Sequence, residues 1–164
     1  MHAACPRPPL DWAEILTPNG PFSPLVHLRA TPEVVAQHAA GLAYLATPYT
    51  RKVMLNGRWN YDKSVTLSLL AAREGLRLAR VGVTAVSPIV QAAEGLHAQA
   101  GAPGPKVNPL DRVFWTAWCR PMFAAARLVV VPAIPGWDES EGVFAEVTEA
   151  VRRNMPVFIY GGNT

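Results

Sequence analysis

The stretch RLVVVPAIPGWDESEGVFAE, residues 127–146, restricts the possible folds more than any other part of the chain. Leu128 to Val131 is a continuous β-branched apolar run of strand length, the pattern of a strand covered on both faces. Pro132, Pro135 and Gly136 then shape a loop, and Val143, Val147 and Ala150 trace the apolar side of a following helix. Helical side chains lean toward the N-terminus, and positions i and i+4 stack on one face. Glu146 therefore points back toward the loop beneath Gly142, which has no side chain to cover it. Open α/β sheets bind ligands beyond the carboxyl ends of their strands, so Glu146 is the leading candidate for a catalytic carboxylate.

The rest of the chain repeats that alternation. Residues 1–41 hold seven of the sixteen prolines and little periodicity, and they read as an irregular arm. One short helix is predicted there, from Thr31 as N-cap and Pro32 at the first helical position. Residues 42–164 read as a single α/β domain. Leu42 to Thr47 is its first strand, and Pro48, Tyr49 and Thr50 form the turn at its end. Asn56-Gly57 marks a tight turn. Val65, Leu69, Ala72, Leu76 and Ala79 give the apolar stripe of a helix from Tyr61 to about Arg80, ended by Gly82. Val83 to Val86 is a second strand with Ser87-Pro88-Ile89 as its exit turn. Residues 91–110 show no clear period and are expected to form a loop over the site. Asp111 to Ala126 is an aromatic-rich helix containing Pro121, and Pro156 to Tyr160 is a last buried strand. The predicted architecture is a three-layer Rossmann/flavodoxin-like sandwich with a mainly parallel sheet of 4–5 strands.

Composition narrows the function classes. With 164 residues, half of them apolar and 16% charged, the chain can bury one sizeable core. The net charge of +3 is mild, and no run of Lys or Arg resembles a nucleic-acid footprint. Cys5 and Cys119 lie far apart and the four histidines are scattered, so neither a disulfide framework nor a metal site is expected. No cofactor is expected either. The N-terminus lacks the apolar core of a signal peptide, and no tract is long enough to span a membrane, so the expectation is a cytoplasmic protein.

Several residues near Glu146 have both a structural and a ligand-binding reading. Ser140 or Asp138 would cap the helix, and the helix amides with the Ser140 hydroxyl would also suit a phosphate. Trp137 is either a packed aromatic or a plate for a flat base. Tyr49 and Thr50 share that ambiguity. Asp138 is the best local candidate for a proton donor.

Several of these pieces resemble the nucleoside 2-deoxyribosyltransferase superfamily, and in particular its branch known as DUF1937. They are YLATPYT at Tyr44 to Thr50, SPI at Ser87 to Ile89, Phe114-Trp115, GWDESEGVFAE at Gly136 to Glu146, and the closing PVFIY. The resemblance implies that Glu146 attacks the anomeric carbon of a nucleoside or nucleotide. A glycosyl ester forms and passes to another base or to water, chemistry for which carboxylates are suited. It implies that Ser140 contacts a 5′-phosphate, as in 2′-deoxynucleoside 5′-phosphate N-hydrolases, with Gly142 leaving room for substrate and Ser87 on its border. Tyr49 and Trp137 would frame the base. The relatives share sites between subunits, which implies a homo-oligomer. The superfamily's acid in the helix before the central strand is missing, since that region reads Trp118-Cys119-Arg120. Asp138 is left for that role. The rival reading is a nucleotide-binding module that does no chemistry.

Overall fold

The computed structural model describes residues 11–161; Cys5 and His2 lie outside them. Five strands form one parallel sheet: β1 (Val26–Leu28), β2 (Ala43–Leu45), β5 (Ala85–Val86), β6 (Leu128–Val131) and β7 (Val157–Ile159), in the order β1-β7-β6-β2-β5. The predicted α/β sandwich with a parallel sheet is what the chain forms. Strand pairing is in simple register, with Tyr44 beside Val129 and Val130 beside Phe158.

The helices are α1 (Ala13–Leu16), α2 (Pro32–His38), α3 (Tyr61–Arg80), α4 (Pro88–Ala100), α5 (Arg112–Ala125) and α6 (Glu141–Arg152). The period of two along each strand sorts them into layers. Tyr44, Ala46, Val129, Val131, Val157 and Ile159 face one side, where they pack on Trp12 and Ile15 of the N-terminal segment, Phe123 of α5, and Val143 and Val147 of α6. Ala43, Leu45, Leu128, Val130 and Phe158 face the other, against Val35 of α2 and Leu78 of α3. All four residues of β6 are buried, which is why that run carries no polar alternation.

Local sequence rules account for most boundaries. Thr31 accepts a hydrogen bond from Val34 N and Pro32 opens α2, as predicted. Gly82 (φ 81°) follows α3 in a Schellman closure: its amide donates to Ala79 O, and that of Val83 donates to Leu78 O. Asn56 and Gly57, both at positive φ, turn the hairpin of β3 (Met54–Leu55) and β4 (Arg58–Trp59).

Two expectations need correction. The loop expected over residues 91–110, with Ser87-Pro88-Ile89 as an exit turn, is helix through Ala100 and irregular only over 101–110. Ser87 caps α4 by accepting from Val90 N, and Pro88 sits in its first turn. The cap-and-proline signature is the same as at Thr31-Pro32, but Gly95 and the small residues Ala92 and Ala93 blur the period behind it. The segment read as an irregular arm also contributes β1, the edge strand paired with β7. Three residues are too few for alternation to show. Among the described residues, no helix is long and apolar enough to cross a membrane.

Candidate active site

A parallel sheet delivers the loops after its strands to one edge. Chain order places Tyr49 and Thr50 after β2, Ser87 after β5, and Trp137, Asp138 and Ser140 after β6 at that edge. The step from β2 through α3 goes outward to β5, and the chain returns on the other side of β2 to form β6. The sheet order therefore reverses between β2 and β6, the position where a crevice opens in this class of fold.

Glu146 lies within α6 on the side facing the sheet, about 7.5 Å along the axis from the helix start at 1.5 Å per residue. The Tyr44 hydroxyl, reaching across from β2, donates to Glu146 Oε1 at 2.6 Å. Tyr44 is 1% exposed and packs edge-to-face on Phe123, with ring centroids 5.0 Å apart. Cys119 of α5 completes the cluster, its thiol close enough to interact with both Tyr44 and Glu146. Part of Glu146 keeps contact with solvent, yet its carboxyl group sits deep. Desolvation pushes that carboxyl up to about 7, against the opposing pull of the Tyr44 hydrogen bond. Burial also raises the Cys119 thiol, to about 11, and Tyr44 moves well above its ordinary value for the same reason, helped by the Glu146 charge. At neutral pH the group that can gain or lose a proton in this cluster is Glu146.

Ser140 is the N-cap of α6, its Oγ accepting from Val143 N at 3.3 Å; this leaves its O–H free to donate elsewhere. Gly142 is exposed, and a Cβ there would touch only Ser140 Oγ, at 3.8 Å. The space at Gly142 itself is open. Asp138 is exposed, and its backbone oxygen accepts from the Trp12 indole at 2.7 Å. Trp137 packs edge-to-face on Trp12 at 5.1 Å and lies against Gly161. Trp12 thus ties the N-terminal segment to the loop that leads into α6.

Tyr49 belongs to a different cluster. It is 8% exposed, and its hydroxyl bonds Ser64 Oγ at 2.7 Å and accepts from Trp59 Nε1 at 3.1 Å. Ser64 in turn meets His97 Nε2 at 2.8 Å, so this chain of polar groups fastens the hairpin and α4 to α3. Thr50 is exposed, and Ser87 is taken up as the cap of α4. The structure therefore joins Glu146 to Tyr44 and Cys119, two residues that sequence reasoning did not single out. For Tyr44 the signal was present: alternation along YLA puts it on the same face as Ala46. Which helix covers that face could not be read from the pattern. Two hollows of about 370 Å³ are present, one beside Lys52 and one between α1 and α6, and neither is lined by Glu146. Among the described residues, no group of three or more His, Cys, Asp or Glu is arranged to hold a metal ion.

Comparison with known proteins gives a family and no function. No curated protein and no solved structure matches the chain. The family model DUF1937, a domain of unknown function, matches residues 41–162, from the entry into β2 past the end of β7. The chain belongs to the DUF1937 family.

Proposed function

We propose that this protein cleaves or transfers the N-glycosidic bond of a deoxynucleotide-like substrate, with Glu146 as nucleophile. The observation carrying this reading is a deep carboxyl raised to about 7 and held by a tyrosine hydroxyl at 2.6 Å. A carboxyl group so displaced, in a helix that starts beyond the central strand, is characteristic of a working acid or nucleophile rather than a solvated surface group. In the first step a Glu146 oxygen bonds to the sugar C1′ as the C1′–N bond breaks. The bond electrons leave with the base, which takes its proton from Asp138. Water or a second base then attacks C1′, its proton passes to Asp138, and the C1′–O bond to Glu146 breaks to free the carboxylate. Ser140 and the α6 amides would receive a 5′-phosphate, and Gly142 would leave room for the sugar. A homo-oligomer belongs to the same proposal.

One observation favours the rival reading of a binding module without chemistry. A carboxyl raised to about 7 is only partly ionised near neutral pH, and its neutral form binds but does not attack. Incubation with a panel of deoxynucleoside monophosphates separates the two: free base appears under the glycosidase reading, and binding without base release would leave only the module.

Gly142→Ala supplies a second test. The added methyl has room, and alanine is favoured over glycine in a helix by up to about 1 kcal/mol, so the melting temperature should rise. If the space above Glu146 admits the sugar, base release should fall in the same variant. A stabilised variant with unchanged kcat/KM would show that the space is not used.

A further inference from the structure

The hollow of about 370 Å³ beside Lys52 belongs to neither the Glu146 cluster nor the Tyr49 network. It lies where the sheet order reverses, between the segment after β2, which supplies Lys52, and the loop after β6, which supplies Ile134 and Pro135. The first turns of α3 form its other wall through Lys63, Leu67 and Leu70. Its volume falls within the range of small-molecule sites, about 300–1,000 Å³. The floor is aliphatic and the rim carries two ammonium groups.

Lys52 holds an unusual position. It crosses directly over Gly136, where a Cβ would collide with its Cε, and Gly136 has φ of 87°. The loop thus brings its backbone right up to the lysine stem. The Lys52 ammonium is met only loosely, by Glu139 at 3.8 Å, in a pair whose side chains are 40% and 72% exposed. Such a pair contributes little and exchanges readily for a better anion. Lys63 donates to Met54 O at 3.1 Å and keeps further donors. Asp62 lines the same hollow, so an anion must sit at the Lys52 end, with Asp62 available to accept from a hydroxyl or amine on the ligand.

We propose that this groove binds a small organic phosphate, its oxyanion on Lys52 in exchange for Glu139 and its body on Leu67, Leu70, Ile134 and Pro135. Only the choice of probe rests on the nucleotide reading above; the site itself does not depend on Glu146 being a nucleophile. The full chain carrying Glu146→Gln and Ser140→Ala, which under that reading remove turnover and the hydroxyl proposed to receive a 5′-phosphate at α6, is titrated calorimetrically with 2′-deoxyadenosine 5′-monophosphate, 2′-deoxyadenosine and inorganic phosphate. The monophosphate should bind more tightly than either fragment. Lys52→Met, which keeps the stem over Gly136, should weaken it about tenfold, and Lys52→Arg should restore most of the loss. Glu139→Gln should strengthen binding by freeing Lys52. The assignment is overturned if the monophosphate fails to bind, if Lys52→Met leaves its affinity unchanged, or if free phosphate binds as well as the nucleotide. It is equally overturned if the monophosphate binds with Ser140 in place but not in the Ser140→Ala background, since all of its phosphate binding would then lie at the start of α6. Base release that survives in Lys52→Met would leave the role of Glu146 intact whichever way the groove behaves.

Discussion

Glu146→Gln is expected to lower base release from a deoxynucleoside monophosphate by on the order of 10⁴-fold, the scale seen when one member of a covalent machinery is removed. Glutamine matches glutamate in volume, and its Oε1 can still accept from the Tyr44 hydroxyl that now sits at 2.6 Å. What it lacks is a charge able to bond to C1′. The wild-type kcat/KM should also rise with pH through about 7, because the attacking form is the carboxylate and the profile of the free enzyme reports its pKa. Tyr44→Phe removes the one interaction that holds that value down, so its profile should rise at higher pH than the wild type. Neither Tyr44, displaced above its ordinary range, nor Cys119, at about 11, can produce a midpoint near neutrality. Wild-type rates in Glu146→Gln, or a flat profile across neutral pH, would remove Glu146 from the chemistry.

The elements that could be read from the sequence share one property: their signal is local. Leu128–Val131 is apolar throughout because both of its faces are covered, and the Tyr61–Arg80 helix ends where Gly82 allows a left-handed turn. What could not be read depended on partners distant in sequence. Tyr44 and Glu146 are 102 positions apart, and nothing in either segment specifies that α6 lies over the tyrosine side of β2. Trp12 reaches Asp138 across 126 positions from a stretch without periodicity. Cys119 drew notice as an unpaired cysteine and as the place of a missing acid, whereas its place near Tyr44 and Glu146 follows from the packing of α5. Helix α4 is a different kind of omission. Its cap was present in Ser87-Pro88, but a helix with four alanines and a glycine among its thirteen residues offers little apolar contrast to count. The reading of Glu146 as a carboxylate pointing back toward the loop beneath Gly142 came from an i, i+4 argument, and the structure gives it a partner on the sheet side.

The second large effect is on stability, and its sign follows from the direction of the Glu146 shift. The carboxyl has a pKa near 7 in the folded protein against 4.5 in the unfolded chain, so the folded state holds the proton more tightly. Stability from this group is fully present below pH 4.5 and is lost as pH rises through about 7, a total of roughly 3 kcal/mol. His27 works in the opposite sense. Its pKa is lowered by burial and by His38, so it destabilises the fold at acid pH, and this loss is recovered as pH rises to the ordinary histidine value. The wild-type curve alone mixes the two, and the difference between wild type and Glu146→Gln isolates the carboxyl. The glutamine variant should melt close to wild type at acid pH and above it at pH 8, by about 6–12 °C for a chain of this size. Thermal melts of both proteins at several pH values measure this directly. Curves that run parallel from acid to alkaline pH would mean that Glu146 ionises in the fold as easily as in the unfolded chain. Its carboxyl would then sit in water, and both the nucleophile and its tyrosine partner would lose their physical basis.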